Sequence, residues 1–295
     1  MKRVTRREFA AAAAIGAAGL AWPRAARAQA AKIPSSVVGG VLVGVASFTY
    51  RALTFEQMIA SMRAVGLSSL ELWGDGKAHP LHPLRQTEAD FKRVRQMLDD
   101  AGIQVSAYCT NFPNDVTADT LDRAFAGCAI LGAKVMTTSC EKAILDRLDA
   151  AASRHKTRVG LHNHWNGDAW FVKAGKDAKA NFESPADWAE AFKGRSEYLA
   201  INLDIGHFSA AGLDPLAFFK AQKPRIVSIH LKDRGADKEH TDVRFGSGAT
   251  PITAFCQALK QAKFAYAANI EYEMNESDPT EGLRDSFAYV KKALA

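Results

Sequence analysis

Cysteine is sparse in this chain: Cys109, Cys128, Cys140 and Cys256 are scattered, with no C-x-x-C spacing. At 295 residues that distribution excludes a disulfide scaffold and reads as buried free thiols. A membrane span is also missing, since the alanine-rich stretch Ala10 to Trp22 falls short of the ~20 apolar residues a spanning helix needs. No G-x-G-x-x-G follows the first apolar run, which argues against a doubly wound dinucleotide-binding sheet. Low-complexity tracts are absent once the first thirty residues are set aside.

Those thirty residues read as a targeting segment. Thr5-Arg6-Arg7-Glu8-Phe9 places paired arginines ahead of the apolar stretch, and Ala28-Gln29-Ala30 is a small-x-small cleavage site. We expect residues 1–30 to be a cleaved twin-arginine signal, with the twin-arginine translocase as export partner and a periplasmic or exported destination. An ordinary secretory signal or an N-terminal anchor is the competing reading. The segment holds Lys2, Arg3, Arg6, Arg7, Arg24 and Arg27 against Glu8, so its loss takes the formal charge from +6 to +1. The basic excess belongs to the signal, and no nucleic-acid partner is expected. Twin-arginine export carries folded proteins, which suits unpaired thiols. No stable membrane anchor is expected.

From Gly39-Gly40 onward, β-type runs alternate with amphipathic helical stretches, the signature of βα units on a parallel sheet. Eight runs are expected as strands: Val41 to Ala46, Ser69 to Trp73, Ile103 to Cys109, Lys134 to Thr138, Arg158 to His162, Leu199 to Asp204, Ile226 to Leu231 and Ala267 to Tyr272. Gly66, Gly102 and Gly132 punctuate helix ends before the next strand. Eight units at this length fit one α/β domain over residues 31–295, a single (β/α)8 TIM barrel. The long irregular stretches Gly74 to Arg85, Trp165 to Glu183 and Asp233 to Thr250 each follow a strand. In a barrel they would build one mouth.

Ionisable residues cluster at the ends of the later strands. Strand five closes on His162 with His164 two residues on, strand six on Asp204 with His207 after it, strand seven on His230 and Lys232, and strand eight on Glu271 and Glu273. Residues two apart on a strand face the same side. His162, Asp204, His230 and Glu271 therefore form a candidate ligand set for one divalent ion, whose mixed N and O donors suit Mn²⁺ first, then Co²⁺, Fe²⁺ or Zn²⁺, and Mg²⁺ less well. Either of these histidines alone could be a hydrogen-bonded structural residue; four ionisable side chains at equivalent strand ends point to a site.

Asn202-Leu-Asp-Ile-Gly-His207, Ile229-His-Leu-Lys-Asp233, the Phe245-Gly-Ser-Gly248 turn and Ile270-Glu-Tyr-Glu273 resemble the closing segments of the sugar phosphate isomerase/epimerase family, the xylose isomerase-like TIM barrels. The resemblance runs from about Val41 to the C-terminus. It implies a metal held by Asp204, His230 and Glu271, and a sugar isomerase or epimerase working through an enediolate. Many relatives carry glutamate where this chain has His162, a carboxylate that serves as both ligand and acid/base. Histidine keeps a nitrogen ligand and removes that base.

The base is then Glu271, as the resemblance implies, or His164, because a histidine ordinarily titrates near neutrality. Glu141, at the end of strand four, could supply the missing carboxylate or merely begin the next helix. His207 is a further candidate ligand, support for Asp204, or substrate contact. Lys232, Glu71, Trp73, His79 and Arg244 are candidate contacts to a small carbohydrate substrate, with Phe48, Tyr50 and Asn111 as weaker ones; an aromatic ring can serve as a platform for a sugar face. The alternatives to an isomerase are a lyase or deglycosidase on keto sugars, a non-catalytic sugar-binding module, and an endonuclease IV-like nuclease. The last needs more ligands and a basic surface than this chain offers.

Overall fold

The computed structural model describes residues 32–75, 81–83, 85–168 and 181–295. The expected signal segment and His79 lie outside the described residues, as do parts of two of the three mouth loops.

Eight parallel strands close into a barrel: β1 (Val41–Ala46), β2 (Ser69–Trp73), β3 (Gln104–Cys109), β4 (Val135–Thr138), β5 (Arg158–His162), β6 (Leu199–Asp204), β7 (Ile226–Leu231) and β8 (Ala267–Ile270). Each pairs with its successor, and β8 returns to β1 through Leu42 opposite Ala267 and Gly44 opposite Asn269. A two-residue strand, Val37–Val38, adds antiparallel to β1. The last strand stops two residues short of the expected Tyr272. Glu271 N–H still bonds to Leu231 O at 2.9 Å, but Tyr272 N–H turns to the Thr49 hydroxyl at 3.0 Å, which ends the ladder.

Helices α1 (Phe55–Val65), α2 (Glu88–Ala101), α3 (Ala118–Leu131), α4 (Leu145–His155), α5 (Pro185–Phe192), α6 (Ile205–Ala210), α7 (Pro215–Gln222), α8 (Ile252–Gln261) and α9 (Thr280–Leu294) surround it. The sequence fixes their limits locally. Thr54 and Thr87 form capping boxes with Gln57 and Asp90 at the starts of α1 and α2. Gly66, Gly102 and Gly132 close α1, α2 and α3 in the left-handed conformation.

The outward faces of the strands are apolar: Val43, Leu70, Leu72, Leu161, Ile201, Leu203, Ile229 and Ile270 are fully buried against the helices. The barrel interior is layered differently. A small apolar plug of Ala107, Val135, Ala200 and Val227 fills the bottom. Above it lies a polar belt of Ser69, Glu71, Thr137, Asn202, Ser228 and Asn269, all buried. The ionisable strand ends stand above that belt.

Candidate metal centre and substrate pocket

His162, Asp204, His230 and Glu271 each offer one ligand atom, and these four atoms lie within 4.8 Å of one another. Local backbone contacts explain why they converge. Asn163, between the two histidines of strand five's end, donates from Nδ2 to Asp204 O (3.0 Å) and accepts Asp204 N–H at Oδ1 (2.8 Å). It thereby clamps the end of β5 to the end of β6. Asp204 Oδ1 caps α6 by accepting His207 N–H at 2.8 Å. Its other oxygen, Oδ2, is buried and makes no hydrogen bond.

Around that oxygen stand His230 Nδ1 at 3.9 Å and Lys232 Nζ at 3.5 Å. Lys232 is fully buried and also bridges Glu271 (3.0 Å) and Glu273 (3.1 Å). Gly206 makes room for it: a Cβ there would meet Lys232 Cγ at 2.8 Å. His230 spans the centre, with Nδ1 3.1 Å from Glu271 Oε2 and Nε2 3.0 Å from Glu71 Oε1.

Burial sets the ionisation of this group, and neighbouring charges then divide it. Burial pushes Asp204 up to about 6 and Glu273 up to about 7. For Glu271 burial acts the same way but is outweighed by His230 and Lys232, which hold its carboxyl well below the usual range. Burial, then the charges of His164 and His230, keep His162 neutral. Burial also lowers His207, with Lys232 and Arg234 adding to it. His230 goes the other way: burial disfavours its charge, but Glu271 and Glu71 raise its pKa well above the ordinary value.

The donors fit a divalent ion. Asp204, Glu271 and the half-buried Glu273 surround Lys232, and Glu71 and Glu271 flank His230. With His230 neutral as a ligand, one lysine would face four carboxylates, leaving the cluster short of positive charge. A buried carboxylate oxygen with no hydrogen bond needs a cationic partner. Asp204 Oδ2 is such an atom.

A cavity of about 280 Å³ opens above the cluster. Phe48 and Trp73 meet edge to face at 4.8 Å on one side of it. His164, with Nε2 3.1 Å from Ser139 Oγ, lines the opposite side. Its ring lies 4.6 Å from that of His162 and 4.9 Å from that of His207. His207 accepts Trp165 N–H at Nδ1 (3.3 Å) and approaches Lys232 through Nε2 (3.3 Å). Asn111 reaches the cavity, whereas Tyr50 is packed in the core.

Glu71 lines the pocket, but at its floor, while Glu141 and Arg244 sit elsewhere than the strand-end count suggests. Glu71 belongs to the floor: its carboxylate accepts from Thr137 Oγ1 (2.8 Å), Ser228 Oγ (3.0 Å) and Asn269 Nδ2 (3.0 Å) as well as facing His230. Glu141 does not join the cluster and instead accepts from Asn114 Nδ2 at 2.6 Å, because the chain turns outward after Ser139. Arg244 is half-exposed on the outside, paired with Asp285 (3.3 Å) and Glu276 (3.4 Å). The turn that carries it is drawn inward by Asp233 instead, whose carboxylate accepts the N–H groups of Gly246, Gly248 and Thr250.

Sequence reasoning passed over Asn202. Its Nδ2 lies 3.3 Å from both His162 Nδ1 and His230 Nε2, while its Oδ1 is buried without a hydrogen bond. Exchanging the two ends of the amide sets an acceptor against both rings. The signal was a polar residue two positions before Asp204 on the same strand face.

A family model for the xylose isomerase-like TIM barrel matches residues 59–293. Among solved structures the chain is similar to a sugar phosphate isomerase/epimerase from Parabacteroides distasonis, at 17% identity over 84% of this chain and 93% of that one, TM-score 0.62. It is similar to a D-tagatose 3-epimerase-like protein at 16% identity (85% and 98% covered, TM-score 0.60). The IolI protein with a bound zinc atom aligns at 15% identity (85% and 97%, TM-score 0.64). At these identities the likeness establishes the barrel alone. No curated protein matches the chain.

Proposed function

Because the chain belongs to the xylose isomerase-like TIM barrel family, we propose that it is a divalent-metal-dependent sugar isomerase or epimerase. The observation that carries this reading is the buried Asp204 Oδ2, without a hydrogen bond inside a cluster of His162, His230 and Glu271 at the floor of a sugar-sized pocket. A divalent ion there, Mn²⁺ first among the candidates, supplies Lewis-acid polarisation of a substrate carbonyl. Asp204, His230, Glu271 and His162 would hold it.

Glu271, kept ionised by His230 and Lys232, takes the proton from the carbon next to the carbonyl, and the enediolate forms beside the Lys232 ammonium. His164 on the facing wall is the second proton carrier. Trp73 and Phe48 offer an apolar face to the sugar ring. Lys232 and Arg51 are the only lysine and arginine among the described pocket-lining residues. Lys232 is engaged by three carboxylates, and Arg51 donates to the carbonyls of Glu273 (2.9 Å) and Met274 (3.2 Å). That supports an unphosphorylated sugar.

A lyase or deglycosidase on keto sugars is the second reading, favoured by His162. With no carboxylate on strand five, the acid/base pair is unsymmetrical, which suits departure of a β-leaving group from the enediolate better than proton return to either face. We infer also that residues 1–30 direct twin-arginine export to the periplasm, on the strength of Arg6-Arg7 and the Ala28-Gln29-Ala30 site. Retention of an Arg6→Lys, Arg7→Lys variant in the cytoplasm tests this.

The enzymatic reading is tested by metal analysis of the purified protein and by uptake of solvent deuterium into a panel of neutral keto sugars. One divalent ion per chain and exchange that disappears in Glu271→Gln are expected. Less than stoichiometric metal removes the basis of the reading. Exchange that survives Glu271→Gln combined with His164→Ala assigns the wrong base. Full metal without exchange on any sugar points to a binding module.

A further inference from the structure

We propose that Glu71 is a positioning residue for the metal centre, holding His230 by its Nε2–H so that Nδ1 is the nitrogen presented to the ion. The inference rests on the metal reading above. It starts from a buried carboxylate at the floor of the pocket, Glu71, whose contacts are all to protein donors.

Strands from both halves of the barrel supply its donors. Thr137 of β4, Ser228 of β7 and Asn269 of β8 all donate to it within 3.0 Å. Gly44 of β1 leaves the space Asn269 needs, since a Cβ there would lie 2.2 Å from Asn269 Oδ1. These three neutral donors fix the carboxylate, and the fourth neighbour is His230 Nε2 at 3.0 Å.

A neutral imidazole carries one proton and one lone pair on opposite nitrogens. Without an ion both nitrogens donate, Nε2 to Glu71 and Nδ1 to Glu271 Oε2 (3.1 Å). An ion would displace the Nδ1 proton, and the Nε2–H kept by Glu71 leaves the lone pair on Nδ1, which also faces Asp204 Oδ2 (3.9 Å). A carboxylate behind a ligating histidine fixes its tautomer and ring orientation and strengthens it as a donor. Asn202, beside the same nitrogen, can add an acceptor but brings no charge.

The test uses Zn²⁺ affinity by competition with a chelating fluorophore, on wild type, Glu71→Gln and Ser228→Ala. We expect a loss of about 10- to 100-fold for Glu71→Gln, the range for removal of such a partner, and a smaller loss for Ser228→Ala, which loosens the carboxylate without touching His230. Unchanged affinity in folded Glu71→Gln overturns the inference and leaves the metal reading intact. A wild type that binds no divalent ion overturns both. Should Glu71→Gln fail to fold, ¹⁵N NMR of Zn²⁺-loaded wild type decides: Nε2–H with metal-bound Nδ1 on His230 is expected, and metal on Nε2 overturns the inference.

Discussion

The two halves of the barrel are built alike on the outside and differently within. Strands β1 to β4 and the residues just after them present Ala46, Trp73, Cys109 and Ser139 to the pocket, whereas the ends of β5 to β8 present His162, His230 with Lys232, and Glu271 with Glu273, with Asp204 fully buried beside them. Apart from Arg51 and Glu71, one half lines the pocket with uncharged groups; the other is a cluster of ionisable side chains. The outward faces of both halves are packed with the same kinds of aliphatic residue, so the apolar burial that drives folding is indifferent to this division. Chemistry could therefore concentrate on four adjacent strands without weakening the barrel. Glu71 is the exception, a charge from the first half that reaches under the floor to the second.

The sharpest way to break the comparison is to remove charge from the second half while leaving its shape. Asp204→Asn keeps an oxygen to cap α6 but loses the charge that faces Lys232 and His230. Metal affinity should fall by more than ~100-fold, exceeding the loss of a supporting partner, with activity falling alongside it. The melting temperature should change little. Chelator competition and calorimetry on the same preparation check both. An affinity within a few-fold of wild type would mean that Asp204 is not a ligand.

Lys232→Met asks what the cluster does when its own cation is withdrawn. Asp204, Glu271 and Glu273 lose their shared partner, and breaking a buried ion pair from one side costs about 3–5 kcal/mol. Metal-free protein should lose stability of that order in denaturant titrations, and added Mn²⁺ or Zn²⁺ should restore part of it. No recovery would place the ion elsewhere. In the first half, Trp73→Ala removes wall and no charge. KM should rise by up to ~10-fold, the equivalent of one aromatic contact, with kcat and metal affinity unchanged. A fall in metal affinity would show that the wall and the cluster are not separable.

The same division explains what could be read from the sequence. The strands and the glycine-capped helices were legible because period-2 and period-3.6 patterns and left-handed glycines are local properties. The converging His162, Asp204, His230 and Glu271 were legible because residues at strand ends of a barrel share one rim. Depth was not. Glu71 lies two residues before the end of β2, and the register shift of β3 opposite Leu70 and Glu71 helps set how far down the barrel it sits, which no property of Ser-Leu-Glu-Leu-Trp reveals. Arg244 and Glu141 were misplaced for a related reason. The direction of a loop is decided by long-range partners, here Asp233 for the Gly246–Gly248 turn and Asn114 for Glu141.

The helical shell should respond to charge removal in stability alone, and Asp187 at the start of α5 is the place to show it. Burial by itself would raise its pKa, but hydrogen bonds from Lys142 (2.8 Å) and from Ser184 outweigh that and hold it below the ordinary value. A depressed folded-state pKa contributes stability above the unfolded value of about 3.9 and loses it as pH falls through the folded one. Both partners are partly solvated, so Asp187→Asn should cost less than about 1 kcal/mol at pH 7. In denaturant titrations the gap between variant and wild type should close as the pH drops below about 4, while metal affinity at pH 7 stays that of wild type. A variant that lost metal along with stability would tie the shell to the site, and the independence of barrel and chemistry would have to be given up.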